Sequence, residues 1–141
     1  MKRVLVVDDD PSIQRLMRRL LELLGCSVEV VGSGEECLLR LEAGPPDLLI
    51  LDLMLPGLDG AAVLQRLRAR RLALPVLVIS AKDEAESLPG ELPGVSAYLT
   101  KPVRIGELVE VVSGLLGAAL AGGGGAHAAY EEGPGSETSS D

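Results

Sequence analysis

The sequence predicts an α/β fold built on a doubly wound, five-stranded parallel sheet, and three observations carry that prediction. Short apolar runs rich in Val, Ile and Leu recur five times, at 4–7, 28–31, 48–51, 76–79 and 98–100. They read as continuous apolar stretches more than as in–out alternations, the pattern of parallel strands covered on both faces. Helical patterns lie between them, and repeated strand–helix alternation builds an open sheet with helices on both sides.

Each element has its own local signals. After the first strand, Asp10-Pro11 opens a helix, with Asp as cap and Pro at a tolerant first position. The apolar stripe of that helix is expected at Ile13, Leu16, Leu20 and Leu24, Gly25 stops it, and Arg15, Arg18 and Arg19 take the rest of its surface. Ser33-Gly34-Glu35-Glu36 is a capping-box pattern for a second helix that ends near Gly44-Pro45-Pro46. A third helix follows Asp59-Gly60 and carries Ala62, Val63, Leu64 and Leu67. Between the fourth and fifth strands, residues 83–88 begin like a helix, but Pro89-Gly90 and Pro93-Gly94 interrupt it. Internal proline costs about 3 kcal/mol in a helix, so a short or irregular fourth helix is expected there. The last helix runs over about 104–116, with Leu108, Val111, Val112 and Leu115 inward.

With 141 residues the chain suits one domain, and 47% hydrophobic with 24% charged residues is ordinary globular composition. Of 21 acidic residues, four (Glu131, Glu132, Glu137 and Asp141) lie beyond residue 118, leaving 17 against all 13 basic ones before it. Residues 119–141 also hold Gly122-Gly123-Gly124-Gly125 and Gly133-Pro134-Gly135, with little to bury. The expected organisation is a domain over 1–118 and a flexible acidic Gly/Ala-rich tail over 119–141. A net charge of −8 disfavours direct nucleic-acid binding, and with only Tyr98 and Tyr130 as aromatics a base-stacking platform is excluded. The first strand meets three aspartates after four apolar residues, too soon for a signal peptide, and no apolar run reaches membrane-spanning length, so a cytoplasmic protein is expected. Cys26 and Cys37 form no metal-type pair and read as small buried hydrophobes.

The polar exceptions cluster at one edge. Side chains just past the carboxyl ends of parallel strands line the crevice where ligands bind. At those ends stand Asp8 and Asp9, Asp52, Ser80 and Lys101. Crowded carboxylates repel unless they take up protons or share a cation. Hard oxygen ligands suit Mg²⁺, and a nearby lysine suits a second anion such as a phosphoryl group.

These residues carry a resemblance. Val6-Val7-Asp8-Asp9-Asp10-Pro11, the run from Pro46 through Asp52 and Pro56-Gly57 to Gly60, Val78-Ile79-Ser80-Ala81 and Tyr98-Leu99-Thr100-Lys101-Pro102 resemble the receiver domain of bacterial two-component response regulators over about 2–117. The resemblance implies a flavodoxin-like sheet of order 2-1-3-4-5, which sets Asp9 beside Asp52. It implies that Asp52 is the phosphoacceptor, taking phosphorus from a phosphohistidine of a sensor histidine kinase. Asp9, Asp52 and the Met54 backbone carbonyl then bind Mg²⁺, with Asp8 helping through water. Lys101, Ser80 and the Ala81 backbone amide contact the phosphoryl group, the Lys101–Pro102 bond is cis, and Tyr98 is a switch that turns inward with Ser80. Asp10 and Asp59 are left to helix capping.

The resemblance also implies no enzyme beyond slow self-catalysed phosphorylation and dephosphorylation. Haloacid-dehalogenase-type phosphatases share an aspartyl nucleophile and Mg²⁺ but need an acid two residues later, where this chain has Met54. With Glu107 and Glu110 and no arginine after Arg104, the last helix departs from DNA-binding members that dimerise through charged pairs. Output through a downstream protein target, or by relay of the phosphoryl group to a histidine phosphotransfer protein, is therefore expected. The alternatives are a degenerate receiver that acts independently of phosphate and an N-terminal fragment of a longer regulator.

Overall fold

The computed structural model describes residues 1–71, 73–81 and 94–121. They fall into two compact units, Met1–Pro102 and a second beginning at Val103. In the first unit, strands β1 (Arg3–Val7), β2 (Ser27–Val31), β3 (Leu48–Asp52), β4 (Val76–Ala81) and β5 (Ala97–Lys101) form one parallel sheet of order β2-β1-β3-β4-β5. Val4 pairs with both Val28 and Leu48, Leu49 with Val76, and Val78 with Tyr98. The strand order reverses between β1 and β3, since the chain steps from β1 to β2 on one side and then returns past β1 to β3, β4 and β5 on the other.

Helices α1 (Pro11–Leu23), α2 (Gly34–Ala43) and α3 (Gly60–Ala69) connect the strands. Leu5, Val7, Leu49, Leu51, Val76 and Val78 point from one sheet face into a buried cluster with Cys37, Leu38 and Leu41 of α2 and Val63, Leu64 and Leu67 of α3. The alternate residues Val4, Val6, Leu48, Ile50, Leu77 and Ile79 are buried as well, and α1 packs against β1 and β2. Both faces of β1, β3 and β4 are therefore covered, as the apolar runs predict. The two outer strands differ. In β5, Tyr98 and Thr100 are exposed, and most of β2 is only half-buried, because an edge strand has neighbours on one side alone.

Local caps account for the helix boundaries. Asp10 accepts from the Ser12 N–H and Asp59 from the Ala62 N–H, so both cap helices as expected. Ser33 accepts from the Glu36 N–H at 3.1 Å, but the Glu36 carboxylate bonds the Gly32 N–H one residue earlier than a standard capping box. After α1, Gly25 at φ +88° donates to the Glu22 carbonyl and Cys26 donates to that of Leu21, a Schellman stop. The stripe of α1 is corrected: Met17 and Leu21 are its buried residues, Ile13 and Leu20 are half-buried, and Leu16 and Leu24 are exposed. Consecutive apolar pairs at 16–17 and 20–21 offered two helical stripes, and packing against the sheet selected the later one.

In the second unit, α4 (Ile105–Ala121) buries Leu108, Val111, Val112 and Leu115. It continues past 118 into the expected tail, because Ala118-Ala119-Leu120-Ala121 are strong helix formers. The expected irregular segment at 83–93 and the tail beyond 121 lie outside the described residues. Among the described residues no helix is long and apolar enough to cross a membrane. Cys26 and Cys37 are buried and unbridged, and burial raises both thiols, Cys37 to about 12.

Candidate functional site

Among the described residues, the buried polar side chains are Asp8, Asp52 and Ser80, each no more than 3% exposed. All three stand at the carboxyl edge of the sheet. Asp8 follows β1, where its N–H extends the parallel ladder to the Val31 carbonyl at 3.1 Å. Asp52 ends β3, and Ser80 and Ala81 end β4. Lys101 ends β5 opposite Ala81. Asp52 and Lys101 are thus the last residues of their strands and Ser80 the last but one, and none lies beyond its strand.

The side chains converge. Lys101 Nζ donates to Asp52 Oδ2 at 3.0 Å and stands 3.9 Å from Asp8 Oδ2. The other Asp52 oxygen, Oδ1, accepts from the Met54 N–H at 3.1 Å. Asp8 Oδ1 accepts from the Asp10 N–H at 2.9 Å, and its backbone carbonyl accepts from the Gln14 side-chain amide. One oxygen each of Asp8, Asp9 and Asp52 lies within 4.8 Å of the others, with Asp9 the exposed member. The Met54 side chain is exposed, Tyr98 is 41% exposed on β5, and the Lys101–Pro102 bond is cis.

Among the described residues, three carboxylates meet one ammonium, an excess of negative charge. Burial pushes the Asp8 carboxyl up to about 6. The Asp10 N–H opposes that rise, the Asp52 charge adds to it, and Lys101 opposes it. A divalent cation relieves the same repulsion. Octahedral Mg²⁺ with oxygens at about 2.1 Å spaces adjacent ligands about 3 Å and opposite ones about 4.2 Å apart. Oxygens that all lie within 4.8 Å of one another are within reach of one such ion. The notch can hold a cation and an oxyanion side by side.

The loop after Asp52 is set by glycines. A Cβ on Gly60 would lie 2.7 Å from Leu53 Cα and 2.8 Å from the Asp52 carbonyl oxygen. A Cβ on Gly34 would collide with the Leu58 carbonyl. Glu35 of α2 accepts from the Leu58 N–H at 3.3 Å. Neither Glu35 nor Gln14 stood out in the sequence. The available signal for Gln14 was a polar, uncharged residue between Ile13 and Leu16, on a helix that beyond Ser12 is otherwise divided between apolar and charged positions.

Comparison with known proteins agrees with this geometry. The response regulator receiver domain family matches residues 4–113. The alkaline phosphatase synthesis transcriptional regulatory protein PhoP of Bacillus subtilis is 41% identical over 116 residues, which cover 82% of this chain and 48% of that protein. The transcriptional regulatory protein TrcR of Mycobacterium tuberculosis is 38% identical over 115 residues, 81% of this chain and 45% of that protein. The chain spans about half the length of the curated relatives it matches. Among solved structures, the receiver domain of the Francisella response regulator 1452 superposes with a TM-score of 0.76 at 35% identity, covering 83% of this chain and 98% of that one. A response regulator receiver protein from Burkholderia phymatum gives 0.71 at 40%, covering 83% and 96%. With the sheet order, the acidic notch and the match over 4–113 in agreement, the chain belongs to the receiver domain family of two-component response regulators.

Proposed function

We propose that this chain is a phosphoacceptor that takes a phosphoryl group onto Asp52 and converts it into a changed protein-binding surface. The observation that carries the reading is the 3.0 Å contact of Lys101 with a buried Asp52 beside Asp8 and Asp9. Receiver domains bind Mg²⁺ at an acidic pocket and accept phosphoryl groups from histidine kinases, and the donor proposed here is a kinase or phosphotransfer-protein phosphohistidine. Asp9, Asp52 and the Met54 carbonyl, with Asp8 through water, are the proposed Mg²⁺ ligands. Bound there, the ion supplies positive charge to the transferring oxygens.

An Asp52 carboxylate oxygen attacks phosphorus in line, the phosphorus–nitrogen bond of the donor breaks, and its electron pair stays on the imidazole nitrogen. Lys101, already aimed at Asp52, pairs with a phosphoryl oxygen. The Ser80 hydroxyl and the Ala81 N–H donate to others. Movement of Ser80 opens space into which Tyr98 turns from its exposed position, and that rotation alters the surface read by a downstream protein. Hydrolytic turnover has no acid at position 54.

Acetyl phosphate with MgCl₂ is expected to add one acid-stable, base-labile phosphoryl group, absent from a folded Asp52→Asn chain. Equal labelling of that variant in mass spectrometry rejects the assignment. Beryllofluoride with MgCl₂ is expected to shift the Tyr98 ring signals, whereas unchanged signals favour a phosphate-independent interaction module. A second reading, the amino-terminal part of a longer regulator, is supported by relatives of about twice the matched length.

A further inference from the structure

Gln14 lies in the opening turns of α1, and its Nε2 donates to the backbone carbonyl of Asp8, six residues earlier. The side chain is half-buried against Gly32, where a Cβ would stand 3.5 Å from that nitrogen. The accepted carbonyl belongs to the peptide plane that joins Asp8 to Asp9. Rotation of that plane moves both residues of the acidic pair at once. Two further contacts fix Asp8 from other directions: its N–H bonds Val31 of β2, and its Oδ1 takes the Asp10 N–H.

We infer that Gln14 is a positioning residue for divalent-cation binding, holding the Asp8–Asp9 peptide so that both carboxylates face Asp52 before the ion arrives. The inference rests on the reading of the notch as a metal and phosphoacceptor site. Its physical basis is repulsion. Three crowded carboxylates separate if the backbone that carries two of them is free to turn, and the ion must then order the loop as it binds. A neutral amide donor restrains the carbonyl without adding a cation that would compete with the metal. Outer contacts that orient metal ligands are typically worth 10- to 100-fold in metal affinity.

The test is Gln14→Met in the full chain, which keeps side-chain length and helix propensity and removes the donor. Magnesium binding is followed by backbone amide shifts of Asp9 and Met54 during MgCl₂ titration. Labelling by acetyl phosphate is measured over the same concentrations, and urea unfolding is measured in EDTA. The expected result is a magnesium midpoint raised about 10-fold, a labelling rate within about twofold of the parent at saturating MgCl₂, and an unchanged unfolding midpoint. An unaltered magnesium midpoint overturns the role of Gln14. So does a variant that is destabilised in EDTA and slow even at saturating MgCl₂, since that pattern marks a structural contact. A parent chain that neither binds magnesium nor is labelled at Asp52 overturns the phosphoacceptor reading instead.

Discussion

Lys101 separates the charges on Asp8 and Asp52, standing 3.9 Å from one and 3.0 Å from the other. Lys101→Met leaves crowded acids without their cation. The expected loss in metal-free protein at pH 7 is about 2 kcal/mol, less than for a fully buried pair because the lysine is partly exposed. Urea unfolding at pH 7 and pH 5 checks this, since proton uptake at pH 5 should recover much of the loss. Asp52→Asn behaves differently: its single amide oxygen keeps an acceptor for either the Met54 N–H or Lys101 but not both, while the lost charge removes repulsion on Asp8. Its metal-free melting temperature should stay within a few degrees of the parent, and a larger fall would show that attraction to Lys101 outweighs the repulsion. The raised Asp8 carboxyl sets a pH window. Folded Asp8 holds its proton up to about pH 6, well above the ordinary aspartate value of 3.8. Its contribution is therefore fully present below about pH 4 and is lost as pH rises through 6. Relative to Asp8→Asn, the parent should lose stability over that interval, with a slope of at most about 1.4 kcal/mol per pH unit. Equal slopes for the two proteins would contradict it.

At the scale of elements, α3 and the loop after β3 are seated by the absence of side chains. Gly60→Ala would put a methyl 2.7 Å from Leu53 Cα and 2.8 Å from the Asp52 carbonyl, both backbone atoms that yield poorly. A loss of about 1–3 kcal/mol is expected from that overpacking, together with weaker magnesium binding because Asp52 shifts. Chemical unfolding and a MgCl₂ titration measure both, and a neutral substitution would show that the close approach is not required. The helix starts were legible in the sequence because caps are local: Asp10, Ser33 and Asp59 each bond an N–H two or three residues on. The inward stripe of α1 was not legible. Leu16, Met17, Leu20 and Leu21 present two overlapping apolar stripes, and only contact with β1 and β2 decided for Met17 and Leu21. Gln14 escaped notice for a similar reason, since its partner is a backbone carbonyl that carries no sequence signature.

For the molecule as a whole, a cation taken up at the proposed site would bind the folded chain and find no such cluster in the unfolded one, so MgCl₂ should raise the melting temperature. The rise should shrink in Asp9→Asn and disappear in EDTA, and calorimetric melts with and without the salt measure it. A chain ending at Ala121 should keep the parent's unfolding midpoint and labelling rate if residues 122–141 add nothing to the folded unit. The sequence by itself determined the five strands, the parallel class and the polar residues at strand ends, because hydrophobic periodicity and capping are short-range properties of the chain. Tertiary structure decided which faces of the edge strands meet solvent, which stripe of α1 turns inward, and how the Asp8–Asp9 peptide is held. It also brought Lys101 to Asp52 across 49 residues of chain. Such contacts depend on how elements pack against one another, and no window of neighbouring residues contains both partners.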